Sequence, residues 1–272
     1  GTLTIGPYAL SIMAGGNVAS GVPGLTFGVT TMSGNPTFTT AAGTLLTLGG
    51  LQDGGVTPRM ITKAGAGTLN LGTLAGSLIG GTRVNIAEGT LNANQATALG
   101  ALAAVDVADG ATFGVGASQT IGALSNVGST LNSGSVSING AYTLTVGGVN
   151  NLSSVFSGVI SGASGMLTKA GTGTLTLSGA NTYGGATTNS AGVLQLNSAS
   201  NGGLGSGPLV LSGGTLQALN AARAVTNAVT LRATSTISGS QDLTFQAGEF
   251  TQSGASLTLT NAISGGGTLT LA

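Results

Sequence analysis

One segment that is rich in glycine and then alternates threonine with leucine occurs twice in this chain, and it constrains the fold more than any other feature. It reads LTKAGTGTLTL at Leu167–Leu177 and ITKAGAGTLNL at Ile61–Leu71, 106 residues earlier. The correspondence continues beyond the segment, since Glu88–Ala93 matches Ala191–Leu196, and insertions and deletions fall at glycines. This behaviour is typical of stacked units in which the strands are fixed and the turns vary.

Short alternating strands are expected along the rest of the chain. The clearest are Ser135–Ile138, Tyr142–Val146, Leu175–Leu177, Val193–Leu196, Leu209–Leu211 and Leu257–Leu259. Period-two alternation gives each strand one aliphatic face and one face of Thr, Ser, Asn or Gln. The outward threonines, such as Thr174 with Thr176 and Thr258 with Thr260, are expected to form ladders across stacked strands. Asn94–Ala104 is the exception, and its Ala-rich sequence fits either a short helical turn or a loop.

These patterns predict an all-β fold, a single parallel β-helix that runs through residues 1–272 as one continuous domain. A coil of about twenty residues cannot bury its aliphatic face alone, whereas coils stacked about 4.8 Å apart share a continuous core. Glycine supplies the positive φ that the corners need. The alternative is an antiparallel β-sandwich, which requires regularly spaced hairpin turns, and only Asn139-Gly140 and Asn201-Gly202 carry that signal.

The composition excludes several functional classes. Charged residues make up 4% of the chain and the net charge is zero, so nothing can neutralise a row of phosphates and nucleic-acid binding is not expected. Cys and His are absent, which excludes disulfides, thiolate or imidazole metal sites and catalysis by those side chains. A surface with so little charge favours self-association.

The apolar runs and the two chain ends indicate whether this segment enters a membrane and whether it belongs to a longer chain. No apolar run approaches the 18 or so residues of a membrane helix, so we expect no direct membrane insertion of this segment. Gly1–Ile5 and Gly267–Leu271 both read as strands, and Ala262–Leu271 is a shortened third version of the repeated segment. Because solenoids need polar caps, we expect a fragment of a longer repeat-containing chain, with any export signal outside it.

The second copy supports a family resemblance. Phe156–Gly162, Leu167–Tyr183 and Gly192–Leu196 together resemble the passenger-associated transport repeat of bacterial autotransporter adhesins. The first copy resembles it in part, because Gly72–Gly76 replaces the Ser-Gly-Ala-Asn-Thr-Tyr continuation. The resemblance implies a right-handed β-helical passenger, exported to the cell surface or the extracellular space, whose repeat assists transport through the outer membrane. It implies no enzymatic residues and no cofactor.

The structural repeat motif consists of the lysine, two glycines and Thr-Leu pair of each copy, with one tyrosine of the second: Lys63, Gly65, Gly67, Thr68, Leu69, Lys169, Gly171, Gly173, Thr174, Leu175 and Tyr183. The two lysines are the only ones in the chain, and we interpret them as solvated side chains at corners whose stems cover apolar surface. A role in stacking or export is the alternative. The tyrosine is expected to pack over a corner.

The six acidic residues give no clear site: Asp53, Glu88, Asp106, Asp109, Asp242 and Glu249. Only Asp106 and Asp109 are close in sequence, and in an extended strand they would point to opposite faces. Calcium binding and acid–base hydrolysis both require carboxylates gathered on one face. We therefore predict no catalytic, cofactor or metal site.

The sequence thus predicts a non-enzymatic structural or adhesive protein of the cell surface. Its expected partners are host or matrix surfaces and copies of itself, end to end or side by side, with filaments as one outcome. The alternatives are a β-helical carbohydrate-active enzyme and a glycan-binding module.

Overall fold

The computed structural model describes residues 1–15, 21–72, 74–126, 134–148, 151–246, 250–252, 257–259 and 269–271. These residues form strands, turns and bends, with no helix among them and hence no helix that could span a membrane. In chain order the strands are β1 (Leu3–Ile5), β2 (Ala9–Ile12), β3 (Gly24–Met32), β4 (Thr37–Thr40), β5 (Leu45–Gln52), β6 (Met60–Ala64), β7 (Thr68–Leu71), β8 (Arg83–Ile86), β9 (Thr90–Ala93), β10 (Ala104–Val107), β11 (Thr112–Val115), β12 (Gln119–Ile121), β13 (Ala123–Ser125), β14 (Ser135–Ile138), β15 (Thr143–Val146), β16 (Ser154–Phe156), β17 (Val159–Ser161), β18 (Met166–Lys169), β19 (Thr174–Leu177), β20 (Thr187–Asn189), β21 (Val193–Leu196), β22 (Leu209–Ser212), β23 (Thr215–Ala218), β24 (Arg223–Val225), β25 (Val229–Ala233), β26 (Ser235–Ser238), β27 (Leu243–Phe245), β28 (Phe250–Gln252), β29 (Leu257–Leu259) and β30 (Leu269–Leu271).

The strands stack in parallel, each on the strand one coil away, so the predicted parallel β-solenoid is confirmed. The antiparallel sandwich is therefore wrong. The segment Asn94–Ala104 is a loop with turns that ends as β10 begins, which decides the question left open by its sequence.

The solenoid has three faces. Face 1 is the sheet β2-β4-β6-β8-β10-β13, followed by the sheet β16-β19-β21-β23-β26-β29. These two sheets meet where β13 contacts β16, and there the Leu124 N–H donates to Ser154 Oγ (3.3 Å). Face 2 is the sheet β1-β3-β5-β7-β9-β11-β14-β17 and, after an irregular segment, the sheet β24-β27-β30. Face 3 is irregular in the first coils and then becomes the sheet β12-β15-β18-β20-β22-β25-β28.

The core is built from columns of inward-facing aliphatic and aromatic side chains. One column on face 2 is fully buried over six successive strands: Leu46, Leu69, Leu91, Phe113, Val136 and Ile160. Each buried side chain of this kind contributes about 1.5–3 kcal/mol, but only when the coils above and below cover it. Stability is therefore a property of the stack and not of any single coil.

Polar side chains form a hydrogen-bonded ladder on the outward side of face 1. On face 1, Thr176 donates to Gln195 (2.8 Å), Gln195 to Gln217 (3.0 Å) and Gln217 to Ser238 (2.8 Å). The predicted threonine ladder is not formed here, because Thr176 is paired with Val155 and Gln195, and Thr174 with Val193. Thr260, and the third version of the segment except Leu269–Leu271, lie outside the described residues.

Candidate functional site

Each copy of the repeat motif forms a tight corner between two strands. The first corner joins β6 to β7, and the second joins β18 to β19. Gly65 (φ +71°) and Gly171 (φ +62°) have left-handed backbone conformations that L-residues disfavour. A Cβ on Gly65 would also lie 2.4 Å from the carbonyl oxygen of Thr40 in the previous coil, so the stacking itself requires glycine there.

The second glycine of each corner is required by packing alone. A Cβ on Gly67 would lie 2.2 Å from the carbonyl oxygen of Ala41, and one on Gly173 would lie 2.4 Å from that of Leu152. Contacts this short do not occur between real atoms, and the neighbour in each case is backbone that cannot move aside. The glycines therefore permit one coil to lie directly on the next.

Lys63 lies inside the first corner and is fully buried. Its Nζ donates to the backbone carbonyls of Ala64 (2.9 Å) and Gly65 (2.6 Å) in its own coil, and to that of Glu88 (3.0 Å) in the next. An ammonium group has three donors, and all three are used. The interpretation of this lysine as a solvated surface residue is wrong.

Lys169 repeats this arrangement and is 1% exposed. Its Nζ donates to the carbonyls of Ala170 and Gly171 (2.9 Å) in its own coil, and to that of Ala191 (3.1 Å) in the following coil. The solvated interpretation is wrong here for the same reason. We call each set of one lysine and three carbonyls a lysine clamp, because it ties the corner of one coil to the corner of the next.

Burial dominates the electrostatics of both clamps. Removal from water lowers the pKa of Lys63 from 10.5 to about 8, and the nearby Glu88 carboxylate opposes this shift. Burial also lowers the pKa of Lys169 to about 8. The Glu88 carboxylate further accepts a hydrogen bond from the Gly65 N–H (3.1 Å), and the second corner has Ala191 in its place.

The next coil supplies a glycine directly over each clamp. Gly89 (φ +66°) and Gly192 (φ +64°) both have left-handed conformations. A Cβ on Gly192 would lie 2.4 Å from the Gly171 carbonyl oxygen and 2.7 Å from Lys169 Nζ. These two glycines are not among the predicted motif residues, although the correspondence of Glu88-Gly89 with Ala191-Gly192 marks them in the sequence.

The residues after each corner begin the next strand. Thr68 and Thr174 are half-buried and start their strands, and Leu69 and Leu175 are fully buried in the core. In the second corner, the Thr174 N–H donates to Ser153 Oγ (3.0 Å). The Thr-Leu pair thus carries the chain from the corner into the stacked core.

The two clamps lie at different corners of the rod. β6 is on face 1 and β7 on face 2, so Lys63 is at the corner between faces 1 and 2. β18 is on face 3 and β19 on face 1, so Lys169 is at the corner between faces 3 and 1. The two copies of one motif are therefore displaced by one corner around the solenoid.

Tyr183 is fully buried where the chain turns from Asn181 towards β20. Its hydroxyl group hydrogen-bonds to Thr187 Oγ1 (2.6 Å), and burial raises its pKa to about 12. The ring lies against Gly205 of the next coil, where a Cβ would be 2.7 Å from the ring. Asn181 assists here, because its Oδ1 accepts a hydrogen bond from the Ile160 N–H (2.7 Å) in the absence of a regular strand pair.

Asp53 and Asp106 are buried and, like Glu88, have partners within the fold. Asp53 is buried and accepts hydrogen bonds from the Ile79 N–H (2.7 Å) and the Thr82 hydroxyl (2.9 Å). Asp106 is buried and forms an ion pair with Arg83 (2.6 Å). Within the described ranges no group of three or more acidic side chains could hold a metal ion, and Glu249 lies outside those ranges.

Two segments of the chain, each containing one clamp, match a known family. The family model described as the passenger-associated-transport-repeat matches residues 61–93 and 167–196. The first match runs from β6 to the end of β9 and the second from β18 to the end of β21, so each covers the coil with the lysine and the coil with the third carbonyl. No curated protein and no solved structure matches the chain.

Proposed function

Because the two repeats and the β-solenoid fit an autotransporter passenger domain, we propose that this chain is a non-enzymatic structural segment of an exported surface protein. Its work is to extend as a rod outside the cell and to present its faces to other surfaces and to copies of itself. The observation that carries the proposal is the lysine clamp, which the two matched segments build in the same way from equivalent positions.

The clamp supports an architectural role for the repeat. Its donors and acceptors are saturated by one another inside the corner, so the lysine is unavailable to a substrate or ligand. What the clamp does is fix the position of one coil on the next. We propose that this fixing helps the chain to fold outside the outer membrane, which is how the repeat would assist transport.

Export is tested in the bacterium that makes the parent protein. Antibodies raised against the purified chain are expected to label intact cells, and external protease is expected to remove the label. A periplasmic marker that stays unlabelled and intact controls for leakage. Labelling that appears only after the cells are permeabilised would overturn the surface assignment.

The role of the clamps in export is tested by replacing both lysines in the parent protein. Lys63→Met with Lys169→Met is expected to lower the surface-exposed fraction of the total protein. The matched control is Arg232→Met, which removes a cation from an exposed position. Equal surface-exposed fractions for the double variant and the control would show that the lysine clamps do not contribute to transport.

The adhesive part of the proposal is tested with the purified chain. Binding to matrix-coated and uncoated surfaces, measured by mass adsorption in flow, is expected to exceed that of a globular protein of the same size. A groove of about 640 Å³ on face 1, lined largely by hydroxyl and amide side chains, favours a glycan-binding module as the second candidate. Saturable binding to glycans without binding to coated surfaces would favour that candidate instead.

A further inference from the structure

We infer that Asn139, at the turn between β14 and β15, is a site of spontaneous modification at which the side-chain amide is converted to a carboxylate. Asn139-Gly140 and Asn201-Gly202 are the only Asn-Gly pairs in the chain, and the repeat motif uses neither. The inference is independent of the proposed function, because it depends on the chemistry of one peptide unit. The second pair provides a control within the same molecule.

The reaction requires only the chain itself and water. The Gly140 backbone nitrogen gives up its proton to water and attacks the Asn139 Cγ, which closes a five-membered succinimide ring. The bond from Cγ to Nδ2 breaks, and the side-chain nitrogen leaves as ammonia with a proton taken from water. A second water molecule adds to one of the two ring carbonyls and opens the ring to aspartate or to isoaspartate. Glycine in the following position favours the attack, because it has no Cβ to obstruct it.

Asn139 is exposed, and few contacts hold its side chain. Among the residues that the structure describes, its amide makes one hydrogen bond, in which the Ser137 hydroxyl donates to Oδ1 (2.7 Å). This bond draws electron density from Cγ and makes it more electrophilic. The amide lies across Gly114 of the previous coil, where an added Cβ would be 3.5 Å from Nδ2, so that residue has no side chain to restrain it. The amide is therefore free to turn towards the backbone nitrogen of Gly140.

Asn201 has the same following residue but a saturated amide. Its Nδ2 donates to the Gly205 carbonyl (3.1 Å) and to Asn227 Oδ1 (2.7 Å), and its Oδ1 accepts from the N–H (2.8 Å) and the hydroxyl (3.1 Å) of Thr226. These are all the hydrogen bonds that a side-chain amide can make. Attack at Asn201 would first break several of them, so we expect it to react at least about tenfold more slowly than Asn139.

The modification would change both the charge and the main chain around Asn139. Residues 111–222 contain one charged residue, Lys169, which is buried in its clamp, so the new carboxylate would be the one exposed charge in this stretch of sequence. Isoaspartate also lengthens the main chain by one methylene group next to Ile138. The next coil lies closely there, since a Cβ on Gly162 would be 2.2 Å from the Ile138 carbonyl oxygen. The isoaspartyl product is therefore expected to loosen this corner.

The test is peptide mapping of the purified chain after incubation in mildly alkaline buffer made with heavy-oxygen water. Pepsin then digests the chain at acidic pH, where succinimides form slowly, and tandem mass spectrometry measures the heavy oxygen gained at each site. In the folded chain Asn139 is expected to gain it at least about tenfold faster than Asn201. In guanidinium chloride the two sites are expected to react at similar rates, because both asparagines then differ only in their flanking sequence.

The hydrogen bond from Ser137 is tested by substitution. Ser137→Ala is expected to slow the reaction at Asn139 in the folded chain at least about threefold, because Oδ1 loses its donor. Ser161→Ala is the matched control, since Ser161 pairs with Ser137 on the following coil and its hydroxyl donates to the Val136 carbonyl. The control is expected to react like the unchanged chain. A rate that Ser137→Ala leaves unchanged contradicts the role of this bond.

Two further outcomes would overturn the inference. Equal rates at Asn139 and Asn201 in the folded chain would show that the fold does not distinguish the two sites, and an unreactive Asn139 would remove the site. The deamidated fraction, which ion exchange separates, is expected to melt at least about 2 °C below the variant Asn139→Asp, which has the charge without the added methylene group. Equal melting temperatures would show that isoaspartate does not loosen the corner.

Discussion

Lys63 donates a hydrogen bond to the backbone carbonyl of Glu88, 25 residues later, at 3.0 Å. Lys169 does the same to Ala191, 22 residues later, at 3.1 Å. A charged side chain thus satisfies carbonyls of two coils at once. The lysine clamp is the contact that makes the repeat a two-coil unit, and it leads to the first predictions.

Replacing Lys169 with methionine is expected to lower the free energy of unfolding by about 2 kcal/mol. Methionine fills a similar volume, but three buried carbonyls lose their donor, and an unpaired buried polar group costs about 1–3 kcal/mol. Relief from burying the ammonium offsets part of that cost. Urea unfolding followed by circular dichroism measures the change. Arg232→Met, at an exposed position, should change stability by less than about 0.5 kcal/mol, and an equal effect of the two substitutions would contradict the clamp.

Replacing Gly192 with alanine is expected to cost more than the strain of its backbone alone. Gly43 (φ +72°) is the matched control, because its Cβ would meet nothing within 4 Å, so Gly43→Ala should cost about 1–2 kcal/mol. Gly192→Ala adds contacts of 2.4 Å with backbone oxygens and should exceed the control by at least about 2 kcal/mol. Thermal unfolding of the two variants side by side gives the difference, and similar melting temperatures would refute the close approach of the coils.

Replacing Tyr183 with phenylalanine is expected to destabilise the chain by about 1–2 kcal/mol. The ring stays in place, but the substitution removes the hydroxyl that bonds to Thr187 and leaves the Thr187 hydroxyl without this partner. Tyr8→Phe is the control, since Tyr8 is 72% exposed and its hydroxyl is free to bond water. Urea midpoints for the two variants should differ, with Tyr8→Phe close to the unchanged chain. If both match the unchanged chain, the buried hydrogen bond contributes nothing.

Stability is expected to rise with pH from about 8 to about 10.5 and to fall at higher pH. Between pH 8 and 10.5 the unfolded chain keeps its lysine protons, whereas Lys63 and Lys169, with pKa values of about 8, release theirs in the folded state. The unfolded state then binds more protons, so the free energy of unfolding increases with pH. Tyr183, with its pKa raised to about 12, keeps its proton when folded and loses it when unfolded above pH 10. This reverses the slope once the unfolded chain has also lost most of its lysine protons, above about pH 10.5.

Urea unfolding at intervals of half a pH unit from 7 to 11.5 measures this profile. Lys169→Met should reduce the rise, and Tyr183→Phe should reduce the fall. A flat or falling profile between pH 8 and 10 in the unchanged chain would show that the lysines are not desolvated as the geometry indicates.

Local rules were enough to predict the strands. Ser135–Ile138 and Val193–Leu196 have the predicted bounds, and the strand expected at Tyr142–Val146 begins one residue later. Period-two alternation and glycine at positive φ depend only on neighbouring residues, so they are visible in the sequence. The conformation of Asn94–Ala104 could not be predicted in this way, because its small residues are compatible with both a helix and a loop. Only packing against neighbouring coils selects one of the two.

The burial of the two lysines could not be predicted from neighbouring residues alone. A lysine beside glycines is ordinarily solvated, and nothing within Lys63–Leu69 indicates otherwise. The third carbonyl of its clamp comes from the next coil, so burial becomes favourable only once the coils are stacked. The same holds for Asn181, whose side chain replaces a missing strand contact to Ile160.

The sequence by itself determined the all-β class, the parallel stacking of short strands and the repeat. The period-two alternation, the glycines at corners and the recurrence of the segment are all visible in the order of the residues. Only the tertiary structure decided that the lysines are buried and that the two copies lie at different corners of the rod. The physical reason is that both depend on which coil lies next to which. Coil length varies through the loops, so 106 residues of separation do not return the motif to the same corner.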